Sequence, residues 1–395
     1  MPSIETSPYP MIFKVDNPQE LPSVNNDDKN KIAIRTMTRA LEGMQKEAIV
    51  NDSFTNSAWR MVCDEGPWLN GTDLASFPLG YFSTGMIASL ASEIIALAKN
   101  RNINISGLKL IQDANYSMEG SAIKRTMKGT ALPIETEVQI SSDADKSQIE
   151  ELVYHALAAS PTDAIMREEL PSRFKISLNG KNIPVGLAEP ADILNSDDPN
   201  ALFDHISPIP SSGFEPDITV KLDGADTSTE RKAPAVGMAS EQKRLLKVRA
   251  ILQVLDDGLK SIQVQCIKPE GGSVFNFLSD EPECFGGKSR APTGLQYLSA
   301  GMSFCFMTQI GRFAGIVKQD LTAYGIVQDT WFGLPAGSAN LDEAAKAYPV
   351  DTHAFLTSTD DVETNQLLVD MSEQTCYLHA CYRGIAKTKL RIITD

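Results

Sequence analysis

The sequence matches itself when it is shifted by 216 residues, and the match runs without a gap from position 64 to position 176. Among the identical pairs are Asp64 and Asp280, Glu65 and Glu281, Gly71 and Gly287, Tyr81 and Tyr297, Gly85 and Gly301, Met86 and Met302, Gln112 and Gln328, Asp113 and Asp329, Pro133 and Pro349, Leu152 and Leu368, Arg167 and Arg383, and Ile176 and Ile392. Two unrelated segments would not keep register through loops and helices alike. The sequence therefore predicts two copies of one domain in one chain.

The predicted copies cover about 10–179 and 217–395, with a linker over 180–216 that is interrupted by several prolines. Such a composition resists regular structure and predicts a partly extended connector. A chain of 395 residues with 42% hydrophobic residues is large enough for two domains, each with its own core.

Both copies show the same order of predicted elements. Strand-like runs come first, and Asp256-Asp257-Gly258 predicts a hairpin turn between two of them. A long helix follows, over 79–99 in copy one and 295–318 in copy two, with apolar residues at helical spacing. Further strands and a shorter helix complete each copy. The pattern predicts an α+β fold with antiparallel sheets, long central helices, and the helices on one side of each sheet.

Charge and composition exclude several classes of function. The formal charge of −15 argues against nucleic acid as a partner, because phosphate binding needs a cationic surface. The sequence predicts no membrane span and no secretory signal, so we expect a cytoplasmic protein whose cysteines are reduced. Cys376, His379 and Cys381 would lack a fourth zinc ligand, and we expect neither a metal nor a cofactor.

The two copies differ at two positions where chemistry can be expected. Ser89 corresponds to Cys305, and Ser160 corresponds to Cys376. A helical cysteine among apolar neighbours is commonly a buried structural residue. However, Gln309 and Arg312 follow Cys305 by one and two helical turns, and a cation near the sulfur would favour the thiolate.

A second cysteine near Cys305 would permit a redox cycle. A thiolate that attacks a peroxide becomes a sulfenic acid, which a neighbouring thiol traps as a disulfide. Cys305 is the candidate for the attacking thiol and Cys376 for the resolving thiol, with Cys381 as a rival for the second role. Alternatively, Cys376 and Cys381 simply pack beneath the last strand.

These residues resemble the signature of the OsmC/Ohr family. The resemblance is carried by Asp280-Glu281-Pro282, Gly286-Gly287, Ala291-Pro292 and the helix that contains Cys305. It implies an intertwined dimer of β-rich α+β subunits with active sites at the interface, and reduction of organic hydroperoxides by two thiols. This chain would then be such a dimer fused into one polypeptide, either as a monomeric pseudo-dimer or as a further dimer.

The sequence also departs from the family pattern. Gln296 and Leu295 stand where the family has a glutamate early in the cysteine helix, and Tyr377 follows Cys376 where proline is usual. The family's activating arginine has no unique match. The candidates are Arg35, Arg39, Arg60 and Arg249, with Arg312 as an unrelated substitute.

Three functions remain open on this basis. The first is a thiol peroxidase of organic hydroperoxides, active in oxidative stress and dependent on an unknown thiol reductant. The second is a catalytically silent protein that binds a small apolar ligand between the copies. The third is another reaction at a cysteine nucleophile, such as acyl or sulfur transfer. A hydrolytic pair of Ser89 and Ser160 is disfavoured, because no histidine base is identifiable beside them.

Overall fold

The computed structural model describes residues 2–24, 26, 28, 30–191, 196–210, 217–222, 242–334 and 344–394. The predicted linker over 180–216 therefore lies partly outside the described residues. The described residues form eighteen β-strands and six α-helices, a mixed composition that fits the α+β class.

The strands range from two to sixteen residues in length. In chain order they are β1 (Ile12–Lys14), β2 (Lys31–Ala40), β3 (Lys46–Asp52), β4 (Ser57–Cys63), β5 (Ile105–Gly120), β6 (Lys128–Ala131), β7 (Glu135–Ser142), β8 (Ser172–Leu178), β9 (Lys181–Ile183), β10 (Glu189–Pro190), β11 (Thr219–Leu222), β12 (Gln242–Val254), β13 (Lys260–Lys268), β14 (Val274–Ser279), β15 (Leu321–Gly333), β16 (Lys346–Ala347), β17 (Val350–Ser358) and β18 (Lys389–Thr394). The helices are α1 (Pro78–Asn100), α2 (Lys146–Ala159), α3 (Pro161–Ala164), α4 (Gly294–Val317), α5 (Val362–Thr375) and α6 (Tyr377–Arg383). The two long predicted helices are α1 and α4, whereas the sequence pattern did not predict β3, β4 and β14.

Each of the two sheets takes strands from both halves of the chain. The first has the order β1–β4–β3–β2–β15–β17–β8–β10, with β16 on β15 and β9 on β8. The second has the order β11–β14–β13–β12–β5–β7–β18, with β6 on β5. The halves meet where β2 pairs with β15 and β12 pairs with β5, both antiparallel.

The expectation of purely antiparallel sheets is wrong. β8 pairs with β17 in parallel, and β18 pairs with β7 in parallel. The physical reason is that the last long strand of each half, β8 or β18, follows two helices. Each then pairs with a strand of the other half. No hairpin links these partners, so nothing forces them to be antiparallel.

Helices α1 and α4 lie between the sheets, where α1 packs on strands of the second sheet and α4 on strands of the first. They contact each other through glycines. A Cβ added at Gly85 would lie 2.5 Å from the carbonyl oxygen of Gly294, and one at Gly301 would lie 2.6 Å from the nitrogen of Phe82. By length and composition α1 could cross a membrane, but 78% of its most apolar window is buried inside the protein.

Positions related by the 216-residue shift make the same contacts. The Tyr81 hydroxyl donates to the carbonyl of Val62 at 2.5 Å, and the Tyr297 hydroxyl donates to the carbonyl of Leu278 at 2.6 Å. In each half an aspartate carboxylate (Asp64 or Asp280) accepts the backbone N–H groups of the loop that precedes the long helix. The next residue along the chain, Glu65 or Glu281, accepts a hydrogen bond from the long helix of the other half.

Candidate functional site

Cys305 and Cys376 lie side by side in the protein core. Cys305 is in the middle of α4 and is 3% exposed, and Cys376 is a fully buried residue between α5 and α6. Their side chains interact, since Cys376 raises the pKa of Cys305, and both are free thiols. A disulfide between them would require their Cα atoms to lie within about 7 Å of each other.

The sulfur of Cys376 is held at the start of α6. It accepts the backbone N–H of His379 at 3.5 Å and lies 3.2 Å from the Nδ1 atom of that residue. The imidazole is fully buried beside the rings of Phe174 and Phe306. Burial lowers the pKa of His379 to about 4, so the ring beside the sulfur is neutral at physiological pH.

The electrostatics of Cys305 are dominated by burial. Burial raises the pKa of the Cys305 thiol well above its usual range, and the hydrogen bond with Cys376 acts in the same direction. A hydrogen bond from the backbone N–H of Leu378 lowers that pKa, but by less. Cys305 is therefore a neutral thiol at pH 7 in this arrangement.

Arg312 is a cation near Cys305. Its Nη1 donates to Gln309 at 3.4 Å, and its charge interacts with Cys305, Glu65 and Tyr377. Its Nε and Nη2 atoms are buried and have no hydrogen-bond partner among the described residues. Desolvation lowers the pKa of the guanidinium, which indicates a group that would gain from a hydrogen-bond acceptor.

A small cavity of about 50 Å³ lies beside Cys305. Its lining comes from both halves of the chain: Glu65, Trp68, Leu69, Phe77, Pro78, Leu79, Leu246, Cys266, Cys305, Thr308, Gln309 and Tyr377. Glu65 accepts a hydrogen bond from the Thr308 hydroxyl at 2.6 Å. Burial raises the pKa of Glu65, while the fully buried Lys46 opposes that shift. A cavity of this size accepts a few water-sized groups.

The other predicted site residues are not all near the thiols. Gln309 and Arg312 adjoin the cavity residues, but Gln296 belongs to the first turn of α4, where it accepts the Thr293 N–H at 2.9 Å and donates to Ser57 at 3.0 Å. It lies nine positions before Cys305 along the helix, which is about 13.5 Å along the axis.

Two predicted arginines have structural partners instead. Arg35 forms a bidentate pair with Asp329 at 2.7 and 2.8 Å, directly across the junction of β2 and β15. Arg39 pairs with Glu47 at 2.8 Å. Both guanidinium groups are therefore held by carboxylates that do not line the cavity beside Cys305.

Cys381 is a buried thiol near the pair. Its Sγ donates to the carbonyl of Tyr377 at 3.6 Å, and burial raises its pKa. Among the described residues, no group of three or more His, Cys, Asp or Glu side chains is placed to hold a metal ion.

Glu65, Lys46 and His379 are site residues to which the sequence analysis gave no role in the thiol centre. Glu65 carried a signal, because it belongs to the repeated Asp-Glu pair. His379 carried another, since it follows Cys376 by three residues, one turn along a helix. Lys46 gave no signal, because a lysine on a strand is ordinarily exposed.

In the other half, serines occupy the positions of the thiols. The Oγ atoms of Ser89 and Ser160 lie 3.0 Å apart, and Thr162 lies 3.1 Å from Ser160. Ser89 lines a cavity of about 700 Å³, far larger than the one beside Cys305.

Comparisons with known proteins give only a limited likeness. No protein-family model matches the sequence, and no curated protein matches it either. Among solved structures, the chain is similar to an OsmC-like hydroperoxide resistance protein from Jannaschia sp. CCS1, with 22% identity over 33% of this chain and 81% of that chain. The TM-score is 0.21, at which the likeness carries no argument about fold or activity.

Proposed function

We propose that this chain is a thiol-dependent peroxidase that reduces organic hydroperoxides through Cys305 and Cys376. The observation that carries the proposal is the neighbourhood of two buried thiols, one of which lines a cavity. Only Cys305 of the pair lines that cavity, so it is the attacking residue. Cys376 is the resolving residue, because its thiol interacts with that of Cys305.

The chemistry proceeds in three balanced steps. The Cys305 sulfur attacks the distal oxygen of ROOH, the O–O bond breaks, and the alkoxide leaves with the thiol proton as ROH. The resulting sulfenic acid is attacked by Cys376, which forms the disulfide and releases water. An external dithiol then reduces the disulfide by exchange and becomes oxidised.

Arg312 supplies the charge that this reaction requires. The thiol must lose a proton although burial raises its pKa, and the leaving alkoxide is an anion. The two unpartnered donor atoms of Arg312 would gain hydrogen bonds from a bound hydroperoxide or from the leaving oxygen. Gln309 positions the guanidinium through its contact with Nη1.

The same proposal treats the chain as two fused OsmC-like copies that form an intramolecular pseudo-dimer. It is supported by the repeated sequence, by the exchange of strands between the sheets and by the paired contacts of the two long helices. In this arrangement copy one contributes Glu65 and Trp68 to the thiol site of copy two. Only copy two has cysteines at the two equivalent positions, where copy one has Ser89 and Ser160.

Turnover with tert-butyl hydroperoxide and dithiothreitol tests the proposal. Cys305→Ser should abolish peroxide consumption, and Cys376→Ser should leave a single oxidation without disulfide formation. Ser89→Ala is the matched control and should keep the rate of the unaltered protein. Undiminished consumption in Cys305→Ser would contradict the proposal.

Ligand binding without turnover is the second candidate, and the cavity of about 700 Å³ favours it. That candidate would be preferred if neither cysteine variant changed peroxide consumption. The polar residues that line this cavity determine which class of ligand it can bind.

A further inference from the structure

The larger cavity is the counterpart of the thiol site in the other half of the chain. Under the 216-residue shift, its residues Glu281, Gly294, Leu295, Ser89 and Ser92 correspond to residues that line the small cavity. The two cavities are therefore built from the same elements. Their volumes, about 700 and about 50 Å³, differ because the side chains differ.

Three aromatic residues are lost in the larger cavity. Cys284 stands where Trp68 stands in the other half, Thr293 where Phe77 stands, and Pro161 where Tyr377 stands. Each exchange removes a ring from the lining of the space beside the long helices. The resulting volume is in the range that holds small organic molecules, about 300–1,000 Å³.

The lining of this cavity is rich in carboxyl groups. Asp52, Glu93, Glu281 and Glu283 all border it. Glu281 is paired with Lys260 at 3.2 Å, and Asp52 accepts hydrogen bonds from Thr55. Glu93, which occupies the position of Gln309, takes part in no hydrogen bond or ion pair among the described residues, and burial raises its pKa.

The lining is also partly apolar. Ile32, Leu97 and Leu295 contribute buried hydrocarbon. Two basic groups border the space as well: Lys99 is exposed, and His155 contacts Arg101. Neither is paired with Glu93, so a cationic group placed beside Glu93 would have no competing cation there among the residues that the structure describes.

We infer that this cavity binds an amphiphilic organic cation, with its ammonium group at Glu93 and Asp52 and its hydrocarbon along Ile32, Leu97 and Leu295. An ammonium group beside Glu93 would favour its carboxylate form and pair with it, whereas an anion would be repelled by that form, and a purely apolar ligand would leave Glu93 without a partner. The carboxyl groups do not converge as metal ligands within the described part of the chain, so an organic ammonium fits better than a bare metal ion.

The protonation of the carboxyl groups that line the cavity is consistent with this class of ligand. Burial raises the pKa of Glu93 to about 8 and that of Asp52 to about 6, and the charge of Glu281 adds to both shifts. Glu93 therefore holds a proton at pH 7. An ammonium group placed beside it favours the carboxylate, so binding should release a proton.

Isothermal titration calorimetry at pH 7 with hexylamine, hexan-1-ol and hexanoate tests the inference. Hexylamine should bind about tenfold more tightly than either of the other two. In buffers of different ionisation enthalpy, its binding should show the release of a proton. Glu93→Gln should weaken hexylamine binding about tenfold and remove the proton release while leaving hexan-1-ol binding unchanged.

Two further variants test whether hexylamine binds in this cavity and whether its binding is independent of the thiol chemistry. Cys284→Trp restores the residue type of the other half and should weaken hexylamine binding by narrowing the cavity. Cys305→Ser should leave hexylamine binding unaltered even if it stops peroxide turnover. The inference is overturned if hexan-1-ol or hexanoate binds as tightly as hexylamine, if none of the three binds, or if Glu93→Gln binds hexylamine normally.

Discussion

The Oγ atoms of Ser89 and Ser160 lie 3.0 Å apart, in the positions that correspond to the neighbouring thiols of Cys305 and Cys376. The contact between the long helix and the segment after the following helix is therefore the same in both halves. Only its chemistry differs, because two hydroxyl groups cannot form a covalent bond under oxidation.

This relation predicts that a second disulfide site can be introduced. The double substitution Ser89→Cys and Ser160→Cys should place two thiols within bonding reach and give a second disulfide on treatment with hydroperoxide. Peptide mapping by mass spectrometry measures it. Ser89→Cys alone is the control and should give no such peptide. Absence of the new disulfide in the double variant would show that the two halves differ in backbone geometry.

The reactivity of Cys305 should rise with pH. Burial and the hydrogen bond with Cys376 raise the pKa of Cys305 above its usual range, so the thiolate fraction grows about tenfold per pH unit across the neutral range. The rate of iodoacetamide labelling at Cys305, followed by mass spectrometry between about pH 6.5 and 9, should increase without a plateau. A plateau already below about pH 7 would indicate a stabilised thiolate.

The close approach of α1 and α4 should make Gly301 sensitive to substitution. Gly301→Ala would place a Cβ 2.6 Å from the nitrogen of Phe82, whereas Gly315 on the same helix has no atom within 4 Å of an added Cβ. We expect Gly301→Ala to lower the free energy of unfolding by about 1–3 kcal/mol. Gly315→Ala should leave it unchanged or raise it by up to about 1 kcal/mol. Urea unfolding measures both, and equal effects would contradict the tight contact between the two helices.

The ion pairs across the two junctions between the halves should differ in strength. The side chains of Arg35 and Asp329 are 10% and 3% exposed, whereas Arg249, which pairs with Asp113 at the equivalent junction, is 43% exposed. Breaking a buried pair costs about 3–5 kcal/mol, whereas exposed pairs contribute about 0–1 kcal/mol. Arg35→Met should therefore destabilise the protein more than Arg249→Met in denaturant unfolding. The reverse order would contradict the assignment of Arg35 as a structural residue.

Part of the fold could be predicted from the sequence. The apolar spacing that predicts 79–99 and 295–318 as helices is a local property, and α1 and α4 match it within two residues at each end. The parallel pairs of β8 with β17 and β18 with β7 could not be predicted, because a strand's pattern does not specify which sheet it joins.

The candidate site could also be predicted only in part. The exchange of serine for cysteine between the copies indicated the thiol pair. Arg35 did not stand out as a structural residue, because its partner Asp329 lies 294 positions away. The size of the larger cavity depends on which side chains meet there in the fold. The sequence around Cys284 and Pro161 does not indicate that these two residues line the same cavity.

The most direct measurement is disulfide mapping after one equivalent of tert-butyl hydroperoxide is added to the fully reduced protein. The peroxidase proposal predicts a disulfide between Cys305 and Cys376, and a sulfenic acid at Cys305 when Cys376→Ser removes the resolving thiol. Loss of peroxide with both thiols still reduced, or oxidation confined to the exposed Cys284, would contradict it.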